Sequence, residues 1–145
     1  MTNRFQEFTV LIATLNRCIY KLKTEEMAEY NLKSSHVSCL YYIYLNGTLT
    51  AKELCDLCGE DKSNISRALK YLEENEYLKL SSKKYQKTIV LTEKGNKVGE
   101  YLNGRVYEIL DYVSEGLTEE NRTIMYQSLN LINKRLNKLC EEYDS

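Results

Sequence analysis

The chain has 145 residues, no proline, 28% charged residues and a formal net charge of −1. That length suits one domain with an apolar core, and the composition suits a helix-rich globular protein better than a β-sandwich or a disordered chain. It holds no apolar run long enough to span a bilayer and no secretory leader, which predicts a cytoplasmic protein with no membrane partner.

From Phe5, the apolar residues Phe5, Phe8, Ile12, Leu15, Ile19 and Leu22 recur at alternating spacings of three and four, a heptad seam. A second helix is expected to start at an N-cap offered by Ser34 or Ser35. It runs through Val37, Leu40, Tyr41 and Tyr44 to the stop signal Asn46-Gly47. Being apolar nearly all round, it reads as the central helix.

Thr50-Ala51-Lys52-Glu53 is a capping box that opens a short helix with Leu54 and Leu57 expected inward, and Gly59 stands where a helix end favours a left-handed residue. Asp61 then caps the next helix. In residues 61–75, Ile65, Ala68, Leu69 and Leu72 form an inward stripe, leaving Lys62, Ser63, Asn64, Ser66, Arg67 and Lys70 outside. Those outward side chains are of the kinds that read double-stranded DNA: Arg pairs with guanine, Asn with adenine, Ser with a base edge or phosphate, and Lys with phosphate. A solvated polar face has the same pattern, and the flanks favour the DNA reading. Two helices joined by a Gly-containing turn form a helix-turn-helix, whose second helix enters the major groove.

Leu78 and Leu80, then Ile89 and Leu91, alternate with polar residues as a hairpin would, with Lys83, Lys84 and Lys87 around its tip. A basic ribbon behind a reading helix is a wing. Between Lys62 and Lys87 seven basic residues face three acidic ones (Glu73, Glu74, Glu76), a net of +4 in a chain that is acidic elsewhere.

Thr92-Glu93-Lys94-Gly95 starts a fifth helix with Val98, Leu102, Val106, Ile109 and Val113 expected inward. After Gly116, Thr118 caps a last helix whose Met125, Leu129, Ile132, Leu136, Leu139 and Tyr143 form a second heptad seam. Seams at both ends predict association with a second copy. The expected fold class is mainly α with a small β-hairpin (α+β).

The order of elements resembles the MarR family of winged helix-turn-helix transcription regulators. The resemblance rests on residues 54–59, on Asp61-Lys62-Ser63-Asn64-Ile65-Ser66-Arg67-Ala68-Leu69 and on Leu91-Thr92-Glu93-Lys94-Gly95, and it covers nearly the whole chain. It implies one domain over residues 1–145. Within it, about 31–92 would be the DNA-binding part, and about 3–28 and 93–143 the dimerisation helices. It also implies a homodimer on a palindromic operator, a repressor released by a small-molecule effector, and no enzymatic activity. Ser63, Asn64, Ser66 and Arg67 fall on the recognition positions and 83–87 on the wing. Two departures stand out. The wing has no Arg, so Lys84 or Lys87 must substitute, and Glu76 replaces the Gly that often follows the recognition helix, which passes the left-handed turn to Asn75.

Five cysteines, an odd number, argue against a disulfide framework. Cys55-x-x-Cys58 with His36-x-x-Cys39 has the composition of a zinc or redox site, but small buried thiols are the favoured reading, with no metal and no cofactor. Cys18 sits later than the sensing Cys of the family's peroxide-responsive branch. His36, at a helix start near the surface, is assigned no contact with DNA phosphate or ligand. Thirteen Tyr supply aromatic surface for an effector, but no ligand-binding residue can be named. A single His leaves most acid–base constellations unavailable. The competing readings are a winged-helix module that binds protein instead of DNA and a zinc- or thiol-sensing regulator.

Overall fold

The computed structural model describes residues 3–83 and 86–144. Its helices are α1 (Arg4–Glu26), a 3-10 turn (Ala28–Tyr30), α2 (Ser34–Asn46), α3 (Ala51–Cys58), α4 (Lys62–Glu74), α5 (Glu93–Val113) and α6 (Glu119–Asp144). Its strands are β1 (Thr48–Leu49), β2 (Leu78–Lys83) and β3 (Gln86–Leu91). The chain divides into two compact units, Met1–Val106 and Tyr107–Ser145.

In the first unit α2 is the centre. It buries His36, Val37, Ser38, Cys39, Leu40 and Ile43 and packs against α1, α3, α4 and the sheet. Leu40, Ile43, Leu54, Ile65, Leu72, Leu78 and Ile89 are fully buried, each contributing on the order of 1.5–3 kcal/mol of hydrophobic stabilisation. A carboxylate closes the bottom of this unit. Glu26 accepts from Arg105 Nε at 2.7 Å and from the Tyr101 hydroxyl at 2.9 Å, tying the end of α1 to α5. Burial alone would raise its pKa, but these hydrogen bonds and the Arg105 charge outweigh burial and hold it below the usual value.

The start of α2 departs from the sequence reading. Neither Ser34 nor Ser35 caps it; Lys33 is the N-cap, and its backbone N–H donates to His36 Nδ1 at 2.9 Å. His36 is buried rather than near the surface, and its ring stacks on Tyr71 of α4 at 4.3 Å between centroids. Burial, with the Lys33 charge beside it, pushes its pKa down and leaves Nδ1 free to accept.

The sheet has the antiparallel order β1-β3-β2, with Leu78 opposite Leu91, Leu80 opposite Ile89, and Thr48 opposite Val90. The hairpin was expected, whereas β1 was not, because two residues carry no periodicity and their partner lies about forty positions away. The Thr48 hydroxyl reinforces this pairing by donating to the Ile89 carbonyl at 3.0 Å.

Two expected inward positions, Leu57 and Val113, are not inward, and Leu80 of the expected hairpin is exposed as well. Leu57 is 45% exposed because Leu54, Cys55 and Cys58 take the packed side of α3. Leu80 faces solvent toward the tip of the hairpin, and Val113, past the first unit, is 61% exposed. The left-handed turn after α4 falls on Glu76 (φ 65) and not on Asn75 (φ −97). Asn75 instead ends the helix with its amide, which donates to the Tyr71 carbonyl at 2.8 Å.

In the second unit α6 follows Gly116 (φ 89), and Thr118 caps it by accepting from Asn121 N at 3.1 Å. No residue of α6 is buried. All six seam residues of α1 and all six of α6 are exposed in the single chain.

Candidate nucleic-acid interface

The outward face of α4 is built by its inward one. Ile65, Ala68, Leu69 and Leu72 are buried, so the spacing of the helix leaves Lys62, Ser63, Asn64, Ser66, Arg67 and Lys70 exposed along one side. The start of this face is fixed locally. Thr50 Oγ1 accepts from Glu53 N at 3.2 Å, Gly59 (φ 63) ends α3, and the Asp61 carboxylate accepts from Asn64 N at 2.8 Å. The Asp61 cap takes one of the first-turn N–H groups of α4, and the N-terminal end of the helix, where Lys62 and Ser63 are exposed, carries positive partial charge suited to phosphate.

Arg67 and Asn64 lie one turn apart, and the guanidinium donates through Nη2 to the Asn64 amide oxygen. Residue type alone presents the two as separate base readers, and their i, i+3 spacing is the signal in the sequence for this contact. Both residues are exposed, and the contact engages the Asn64 oxygen while leaving its amide N–H groups uncommitted to Arg67. Together they present a donor-rich surface to acceptors such as guanine O6 and N7.

The helix is held from behind and at its end. Tyr71 donates to the Asn31 carbonyl at 2.7 Å while stacking on His36. Glu73 Oε2 accepts from Leu80 N at 3.1 Å, coupling α4 to the hairpin. Lys94 of α5 donates to the Asn75 carbonyl at 2.9 Å, and its ammonium lies 4.2 Å from the centroid of the Tyr77 ring. A shift of α4 thus has to disturb α2, the hairpin and α5 together.

In the hairpin, Lys83 and Lys87 lie on β2 and β3 beside its tip. Their side chains, and Lys84 altogether, lie outside the described residues.

His36 and the cysteines are not assembled as a zinc quartet. Among the described residues no group of three or more His, Cys, Asp or Glu is placed to hold a metal ion, and His36 is committed to Lys33 and Tyr71. Of the thiols, Cys39 is buried as expected, Cys55 and Cys58 are only half-buried, and Cys18 and Cys140 are exposed. Elsewhere in the first unit a cavity of about 770 Å³ opens between the end of α1 and the start of α5, lined among others by Glu26, Glu29, Tyr30, Tyr77, Lys94 and Tyr101.

A sequence model of the MarR family matches residues 30–84, from the 3-10 turn into the hairpin. The chain is similar to the HTH-type transcriptional regulator YwoH of Bacillus subtilis, itself uncharacterized, at 27% identity over 108 residues, 73% of this chain and 79% of that one. Its fold is similar to that of NMB1585, a MarR family regulator from Neisseria meningitidis, with a TM-score of 0.84 at 17% identity, covering 97% and 99% of the two chains. It is similar as well to MepR of S. aureus in a complex with DNA, with a TM-score of 0.76 at 19% identity, covering 92% and 99%.

Proposed function

We propose that the chain is a MarR-family winged helix-turn-helix transcription regulator, a homodimeric, sequence-specific repressor that a small molecule releases from a palindromic operator; the MarR-family model match over residues 30–84 and the similarity to YwoH support this reading. The observation that carries the DNA-reading part is the exposed face of α4, where Lys62, Ser63, Asn64, Ser66, Arg67 and Lys70 stand clear of a buried stripe. In this reading Asn64 and Arg67 read base edges, Ser63 and Ser66 contact bases or phosphate, and Lys62 and Lys70 neutralise phosphates. Lys83, Lys84 and Lys87 of the wing track the adjacent backbone. Residues of about 31–92 form the DNA-binding part.

The two exposed heptad seams support the dimer, with about 3–28 and 93–143 as the dimerisation segments. The cavity beside Tyr77 supports the effector. Lys94 reaches from its rim to the end of α4, so a molecule seated there would act on the residues that hold the reading helix. Among the described residues no helix is long and apolar enough to cross a membrane.

Arg67→Ala is expected to weaken binding to the specific site by about 1–3 kcal/mol and to random duplex much less, as loss of a base contact should. Changing Lys83 and Lys87 to Ala should instead weaken both duplexes alike. It should also flatten the dependence of log affinity on log salt by about two units for each Lys engaged in both subunits. Titrations of specific and random duplex across a salt series check both. Equal losses on the two duplexes for Arg67→Ala would remove the base-reading role.

A further inference from the structure

We propose that the cavity between the end of α1 and the start of α5 is a binding site for an organic cation, an aromatic body of two or three rings that carries an ammonium group, in preference to an aromatic carboxylate or alcohol of the same size. Only its consequence for DNA rests on the reading of this cavity as the effector site; the choice of cation does not.

The walls set the size and the apolar part of the ligand. A volume of about 770 Å³ falls in the range of cavities that hold drug-sized molecules. Buried Met27 and Tyr77 and half-buried Val98 line it, and so do Tyr30 and Tyr101, which remain 61% and 50% exposed. A tyrosine joins a flat apolar ring to a polar tip, so these side chains can cover an aromatic body while its charged end stays in contact with water. Their ring faces also attract positive charge, as Tyr77 does with the Lys94 ammonium 4.2 Å from its centroid.

The charges set the sign. The wall supplied by α1 and the 3-10 turn carries three carboxylates, Glu25, Glu26 and Glu29, and no cation. Glu26 is matched by Arg105 at 2.7 Å, whereas Glu25 and Glu29 are exposed and make no ion pair among the described residues. The wall supplied by α5 carries two lysines, and both are engaged. Lys97 lies 3.9 Å from Glu93, and Lys94 donates to the Asn75 carbonyl while its ammonium rests over Tyr77. A ligand carboxylate would have to draw a lysine from its partner and would still face the unmatched Glu25 and Glu29. A ligand ammonium meets those two carboxylates directly.

The same choice of charge says how the site bears on α4. A second positive charge in the cavity repels the Lys94 ammonium, the group that ties α5 to the Asn75 carbonyl at the end of α4. The cation and DNA are thereby linked, each lowering the affinity of the other by the same factor.

The test uses the full chain and three ligands that share one aromatic body: naphthylmethylammonium, naphthalenemethanol and naphthoate. Equilibrium dialysis at neutral pH, without DNA, measures the affinity of each. The ammonium is expected to bind about tenfold more tightly than the alcohol, the carboxylate more weakly than either, and the spread should shrink as salt is raised. Changing Glu25 and Glu29 together to Gln, at exposed positions where the fold is not at stake, should bring the ammonium to the level of the alcohol and leave the alcohol where it was. Tyr30→Ala should weaken the ammonium and the alcohol alike. A carboxylate that binds as tightly as the ammonium, a double variant that keeps the preference for the ammonium, or no binding of any of the three at millimolar concentration would overturn the proposal. An ammonium that binds as expected and leaves the affinity for a selected DNA site unchanged upholds the cation site and contradicts the effector reading instead.

Discussion

Gly95→Ala is expected to destabilise the protein by roughly 3 kcal/mol or more, a large loss for one methyl group. Gly95 sits in the first turn of α5, where its N–H donates to Thr92 Oγ1 at 3.1 Å. A Cβ at this position would lie 2.0 Å from the carbonyl oxygen of Tyr77 and 3.2 Å from Leu91 Cδ2. The carbonyl cannot step aside freely, because it accepts from Thr92 N at 3.1 Å and belongs to the residue that follows the strained Glu76. Helix and hairpin base must then separate, loosening the Leu78 and Ile89 core. Gly104 is the control: a Cβ there meets nothing within 4 Å, so Gly104→Ala should be neutral or stabilising by up to about 1 kcal/mol. Urea midpoints at one fixed protein concentration check the pair, and a loss below 1 kcal/mol for Gly95→Ala would contradict the close approach.

Placing aspartate at Leu129 and Leu136 together should abolish self-association. The six seam residues of α6 are between 37% and 89% exposed in the single chain, an extent of apolar surface that monomers seldom leave uncovered. If a second copy covers them, each Leu contributes up to about 2 kcal/mol, and each aspartate adds the cost of a buried unpaired charge. Two substitutions in each of two copies should raise the dissociation constant by at least about a thousandfold. Sedimentation at micromolar concentration should then show monomer or ill-defined aggregate. A double variant that still sediments as an ordinary dimer would show that the seams do not carry the association.

The features legible in the sequence were those decided within a few residues. Asp61, the Thr50 and Glu53 capping box and Gly59 act on backbone groups in their own turn, so residue type and spacing revealed them. The stripe of Ile65, Ala68, Leu69 and Leu72 was equally plain, and it made the outward set of α4 legible by subtraction. What was missed depends on distant partners. His36 displaces the serines as the capping group because Tyr71, thirty-five positions on, gives its ring a surface to stack on. Strand β1 exists only because β3 is there to pair with it. Glu76 takes the left-handed turn because Asn75 is held by its amide to Tyr71 and Tyr77 must reach back to the Leu72 carbonyl, at 2.9 Å.

Selection of bound fragments from a pool of random duplexes by the purified chain tests the central claim most directly. The account predicts recovery of a palindrome whose half-sites lie about one helical turn apart, one for each α4 of a dimer, with enrichment lost in the Arg67→Ala variant. A pool that shows no enrichment even at low salt would contradict it and would point to a winged helix that binds protein instead.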